Sequence, residues 1–161
     1  MGDTMHIRLA AVGATLLLLF ACAASAQDRT KQRSATPSHK VAIHVDDNDA
    51  KVMNLVLNNA KNVLEHYRSK GETVTIEIVT YGPGLHMLRA DTSPVKQRVA
   101  EMSLASPEIT FAACANTQVN MSRQEGKEVV LVGEARVVPS GVVRLIELQE
   151  KGYSYIRPSG R

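Results

Sequence analysis

Short β-branched runs and amphipathic helical stretches alternate along this chain, and that alternation restricts it to an α/β architecture. Residues 40–45, KVAIHV, read as a first, buried strand that stops at Asp46-Asp47-Asn48-Asp49, a turn and helix-capping cluster. From Lys51 the apolar positions Val52, Leu55, Val56, Ala60, Val63, Leu64 and Tyr67 keep helical spacing, and Lys70-Gly71 ends the helix. Met53 and Leu57 fall outside that stripe, one turn apart. They are expected to be either isolated surface apolars or a face turned toward a second subunit.

The pattern then repeats. Residues 74–81, VTIEIVTY, alternate as a second strand and end at Gly82-Pro83-Gly84, a turn without the context of a phosphate-binding loop. Ser93-Pro94 opens a helix through Val95, Val99 and Met102, with proline at its first position. A short third strand covers residues 109–113, and Asn116 or Thr117 is expected to cap a third helix that ends at Gly126. A fourth strand is placed at 135–138 and a last one at 153–156. Between them Ser140 caps a helix carrying Val142, Leu145 and Ile146, with Gly152 at its end.

This order predicts right-handed crossovers and a mostly parallel five-stranded sheet with helices on both faces. The loops after the strands then share one edge, where open α/β sheets bind ligands. Residues 46–49, residues 82–87, Cys114 and Pro139-Ser140 are expected there together.

The start of the chain has a separate purpose. Arg8, an apolar core at 16–20 and the small residues Ala24-Ser25-Ala26 make a signal peptide over residues 1–26, cleaved before Gln27. The apolar part is shorter than the ~20 residues a spanning helix needs. The mature protein is therefore expected to be periplasmic or secreted, with no membrane span. The sequence LFAC also resembles a lipoprotein processing box that would lipidate Cys22, a minority alternative because Phe20 is bulky for it. Residues 27–38 lack apolar periodicity and read as a disordered tether, leaving 39–161 as one domain.

Charge and cysteine usage narrow the function. Residues 39–161 hold 15 Lys and Arg against 14 Asp and Glu, with one Phe, four Tyr and no Trp, which argues against a nucleic-acid surface. Cys114 is the one mature cysteine and no CxxC is present, which weighs against a dithiol redox enzyme of the thioredoxin kind. Cys114 sits between a strand and a helix start, where helix dipole and free amides favour a thiolate. Burial as an inert residue is the equal alternative. His44 and His86 are candidate supporting groups near that edge, His86 as a proton donor or thiolate partner, but their spacing matches no metal motif. No cofactor is read from the sequence. Asp46, Asp47 and Asp49 are read as helix-capping carboxylates.

Several stretches together resemble the DsrE family of small sulfur-metabolism proteins. They are HKVAIHVDDND with NLVLNNAKN, VTIEIVTYGPGLHML, FAACANT, and VVPSGVVRLIELQEKGYSYIRP, covering nearly all of residues 39–161. The resemblance implies a three-layer α/β/α fold and assembly into homo-oligomers, trimers or hexamers. It also implies that Cys114 accepts sulfur as a persulfide, with Asn116, Thr117 and Ser140 as supporting residues, and passes it between a donor and an acceptor protein. The alternative expectation is a non-catalytic, oligomeric small-ligand-binding protein with a structural cysteine.

Overall fold

The computed structural model describes residues 38–160, so the signal peptide, nearly all of the tether and Cys22 lie outside the described residues. Ser38, read as the end of the tether, opens the first strand. The elements are β1 (Ser38–Val45), α1 (Ala50–Ser69), β2 (Thr73–Thr80), a 3-10 turn (Gly82–Leu88), α2 (Lys96–Ala105), β3 (Ile109–Cys114), α3 (Ala115–Glu125), β4 (Ala135–Val138), α4 (Gly141–Glu150) and β5 (Ser154–Ile156). The five strands form one parallel sheet in the order β4-β3-β2-β1-β5.

That order dictates how the faces are covered. The crossovers from β1 to β4 all step one way, so right-handed connections put α1, α2 and α3 on one face. The return from β4 to β5 runs the other way and leaves α4 to cover the second face. The buried side chains divide accordingly. Val41, Ile43, Val45, Ile76, Ile78 and Phe111 face the larger core with α1 and the 3-10 turn. Ala42, Val79, Ala112 and Val138 face Leu145 and Leu148 of α4. The fold is a three-layer α/β/α sandwich, as the alternation predicts.

Local chemistry accounts for several element ends. Asp49 caps α1, its carboxylate accepting from the Lys51 amide at 2.7 Å. Gly126 ends α3 in the left-handed conformation, with φ of 64°. Ser93 does not start α2 as a cap. Its hydroxyl donates to the Met87 carbonyl at 2.6 Å, and the helix begins at Lys96. Gly84 is required by close approach, because a Cβ there would lie 2.2 Å from the Val45 carbonyl oxygen. Its absence lets the 3-10 turn sit on the carboxyl end of β1.

Two buried ions sit where this geometry supplies partners. Glu77, on the α4 face, accepts from Arg144 at 2.6 and 2.7 Å and from Arg136 at 3.1 Å. Arg89 is held by Asp91 and Glu125, which raise its pKa further through their hydrogen bonds.

The sequence expectation for Met53 and Leu57 is corrected. Both are 0% exposed and belong to the main core, whereas Leu55, placed on the buried stripe, is 41% exposed. The reason is helical geometry: at about 100° per residue Met53 falls inside, and Leu57 just beside, the arc that runs from Val52 through Val56 and Ala60 to Leu64, while Leu55 falls outside it. Neither residue is available to a second subunit. Leu57→Ala is expected to cost about 2–5 kcal/mol, while Leu55→Ala stays below about 1 kcal/mol, as read from urea unfolding midpoints. Charged residues at 53 and 57 should unfold the monomer; a folded monomer carrying both would restore the subunit-interface reading.

Candidate functional site

The carboxyl ends of the strands gather the candidate residues on the α4 face of the sheet. The strand register pairs His44 with Val79, Val79 with Ala112 and Cys114 with Val138. Side chains alternate across a strand, so His44, Tyr81 and Cys114 lie on that face, Tyr81 and Cys114 level at the strand ends and His44 two residues before them in the register.

Cys114 is the last residue of β3 and the N-cap position of α3. It is 4% exposed. Burial pushes its thiol pKa up. Hydrogen bonds from the Thr117 hydroxyl and from the backbone N–H groups of Gly141, Thr117 and Asn116 outweigh that and hold it below the ordinary cysteine value. The Asn116 and Thr117 amides belong to the start of α3 and the Gly141 amide to the start of α4. Two helix N-termini therefore converge on one sulfur.

Thr117 does more than contribute an amide. Its hydroxyl oxygen accepts from the Gly82 amide at 3.0 Å, which leaves its proton free to point at the sulfur. Neither Asn116 nor Thr117 caps α3 through its side chain, contrary to the sequence expectation, because Cys114 itself occupies the cap. The Asn116 amide also reaches the Pro139 carbonyl at 3.4 Å, tying the two strand-end turns together. Ser140 is at the N-cap of α4 as expected, yet its side chain makes no capping bond.

His44 is also 4% exposed. Its Nδ1 lies 2.8 Å from the Tyr155 hydroxyl, and its ring stacks on Tyr81 with centroids 4.5 Å apart. Burial lowers its pKa, the Asp46 carboxylate opposes that in part, and Arg157 adds to the lowering. The imidazole is therefore neutral at neutral pH. Its Nε2 is buried without a hydrogen-bond partner among the described residues; the Asp46 carboxylate is 3.8 Å away.

Asp46 does not cap the first helix. It accepts two hydrogen bonds from Arg157, at 3.0 and 2.8 Å, and its pKa is lowered, burial being outweighed chiefly by the Arg157 hydrogen bond. Tyr81 is held as a phenol, raised by burial first and then by Asp46, Tyr155 and Cys114 against the opposing Arg157. Its ring fills the space beside Gly141, where a Cβ would come within 2.8 Å of Tyr81 Cδ1.

His86 takes no part in this row. It lies in the 3-10 turn with Nδ1 3.0 Å from the Thr92 hydroxyl. Asp46, Tyr81, Tyr155 and Arg157 are the site residues that sequence reasoning missed. Tyr81 carried a signal, since it continues the alternation of Val79. Tyr155 and Arg157 come beside His44 only through the pairing of β5 with β1, which no local pattern reveals. Among the described residues no group of three or more His, Cys, Asp or Glu side chains is placed to hold a metal ion. The larger surface groove, about 560 Å³, runs along α3 by Gln118, Ser122 and Lys127. A second, about 370 Å³, lies against Val138, Ser140 and Arg144 beside the start of α4. Cys114, 4% exposed, lines neither of these two grooves.

No protein-family model and no curated protein matches the sequence. Among solved structures the chain is similar to the protein of unknown function MTH1491 from Methanobacterium thermoautotrophicum. The two are 33% identical, with a TM-score of 0.62, over 74% of this chain and 99% of that one. Identity of that level over almost the whole relative shows common descent, and the chain belongs to the same family as that methanobacterial protein.

Proposed function

We propose that this protein is an exported sulfur carrier of the DsrE-like kind, in which Cys114 accepts a sulfane sulfur as a persulfide and passes it on. The observation that carries the reading is the place of Cys114, at the end of β3 and the N-cap position of α3, beside the turn from β4 into α4. Two helix starts there favour an anionic sulfur, a thiolate or the persulfide anion that follows it.

The step is an exchange without net oxidation. The Cys114 thiolate attacks the outer sulfur of a persulfide donor R–S–SH, the donor S–S bond breaks, and R–S⁻ departs with the bonding electron pair. Cys114 then carries –S–SH. An acceptor thiolate removes the outer sulfur by the same exchange and returns the Cys114 thiolate. The near-complete burial of Cys114 favours the other reading, a small-ligand-binding protein with a structural cysteine, and the two differ in what the folded protein does with sulfur. A homo-oligomer, trimer or hexamer, belongs to the proposal, although Met53 and Leu57 do not supply its interface; sedimentation as a strict monomer at micromolar concentration would contradict it.

Incubation with glutathione persulfide should add the mass of one sulfur atom to the folded protein and nothing to Cys114→Ser. An unchanged wild-type mass supports the structural-cysteine reading. Thr117→Val should raise the Cys114 pKa by removing the hydroxyl that lowers it, seen as slower iodoacetamide alkylation at neutral pH. Thr117→Ser, which keeps the hydroxyl, should react like wild type.

A further inference from the structure

The two faces of the sheet are covered unequally, with three helices on one and α4 alone on the other. α4 turns Leu145 and Leu148 inward. Its remaining large apolar side chains have no such cover: Val142, Val143 and Ile146 are each about half exposed. Val142 and Ile146 stand one turn apart on the flank away from Arg144, and Val143 adjoins them on the outer side. Tyr155, also exposed, is on the same face of the sheet through its pairing with Ala42. Apolar side chains gathered on one flank of a helix mark a contact surface, where single scattered ones would not.

The charges of α4 identify what covers it. A helix favours acidic side chains at its start and basic ones at its end. α4 has the reverse: no acidic residue in its first turn, no side-chain cap, and no basic residue in its last turn. Glu147 and Glu150 sit at that end instead. Glu147 accepts from Arg144 at 3.2 Å, whereas Glu150 is exposed and enters no ion pair among the described residues. A second α4 laid antiparallel across the first offsets both ends at once, because each acidic end then meets the other's uncompensated start. The chain before β1 does not offer such a cover, since residues 27–37, QDRTKQRSATP, hold no large aliphatic side chain.

We propose that α4 is a self-association surface, on which two copies of this chain pack their α4 helices antiparallel about a two-fold axis. With Arg144 at the level of the crossing, Val142 of each copy meets Ile146 of the other, and Glu150 of each comes to the start of the other helix. The helix is about 15 Å long, so one contact holds both pairs. The apolar pairs supply the affinity, and the rim charges fix the orientation. Such an isologous contact pairs two monomers or doubles a trimer; it does not by itself close a trimer. It stands apart from the reading of Cys114.

Sedimentation velocity of the purified protein, of Ile146→Lys, of Val142→Lys and of Leu104→Lys tests the surface, each variant first shown to keep the wild-type far-ultraviolet circular dichroism. Leu104 is exposed near the end of α2, on the other face. Wild type should sediment as an even-numbered assembly at micromolar concentration. Either α4 lysine should halve its mass or weaken association about tenfold or more, and Leu104→Lys should leave both unchanged. Orientation is read in a Cys114→Ser background, where a mixture of Val142→Cys and Ile146→Cys proteins should cross-link on mild oxidation faster than either alone. Faster linking of like with like contradicts the antiparallel arrangement. An assembly of unchanged mass in both α4 lysine variants overturns the proposal, as does a wild-type trimer or monomer. A trimer leaves the homo-oligomer of the sulfur carrier standing, whereas a monomer removes that as well.

Discussion

The constraint on which this structure depends is the one-way march of its crossovers. Three successive right-handed connections place three helices on one face of the sheet, and a single return connection leaves one helix for the other. Because α4 covers that second face alone, it begins at the end of β4 and lies beside the end of β3. Its start at Gly141 therefore lies beside Cys114, as the start of α3 does, and both lower the thiol pKa. A sheet order that returned elsewhere would leave the cysteine with one helix start, and burial of its thiol would then dominate.

The same arrangement explains why polar groups tolerate this face. Glu77 is buried under α4 only because Arg144 on that helix and Arg136 on the edge strand both reach it. His44 and Asp46 are matched in the same way by Tyr155 and Arg157, which arrive on the last strand. The three-residue β5, exposed along its length, is thereby fastened to β1 by side chains as well as by its ladder. One nitrogen of His44, Nε2, escapes this matching.

Most of the fold was legible in the sequence because it is written in local signals. Asp49, Gly126 and Gly152 mark element ends by capping and backbone chemistry that act within a few residues. The alternation in VTIEIVTY assigned the faces of β2 correctly. Legibility failed where a long-range neighbour decides the outcome. Leu55, Met53 and Leu57 are a different case: the angular positions in the helix place Met53 and Leu57 with Ala60 and Leu64, at i, i+4, i+7 and i+11, and Leu55 off that face, so the stripe was drawn too far to one side. Thr117 was read as a cap, since nothing local reveals that Gly82 would occupy its oxygen and turn its proton to the sulfur. The site followed the same division: Cys114 and His44 were named from strand-end position, whereas Arg157 required the pairing of the last strand with the first.

The central claim is that two helix starts and one hydroxyl stabilise the Cys114 thiolate more than burial opposes it. The direct measurement is the ultraviolet thiolate absorbance of the folded protein as a function of pH, taken as a difference from Cys114→Ser. A midpoint below the free-cysteine value of about 8.5 is the result this account predicts; a midpoint at or above that value would contradict it.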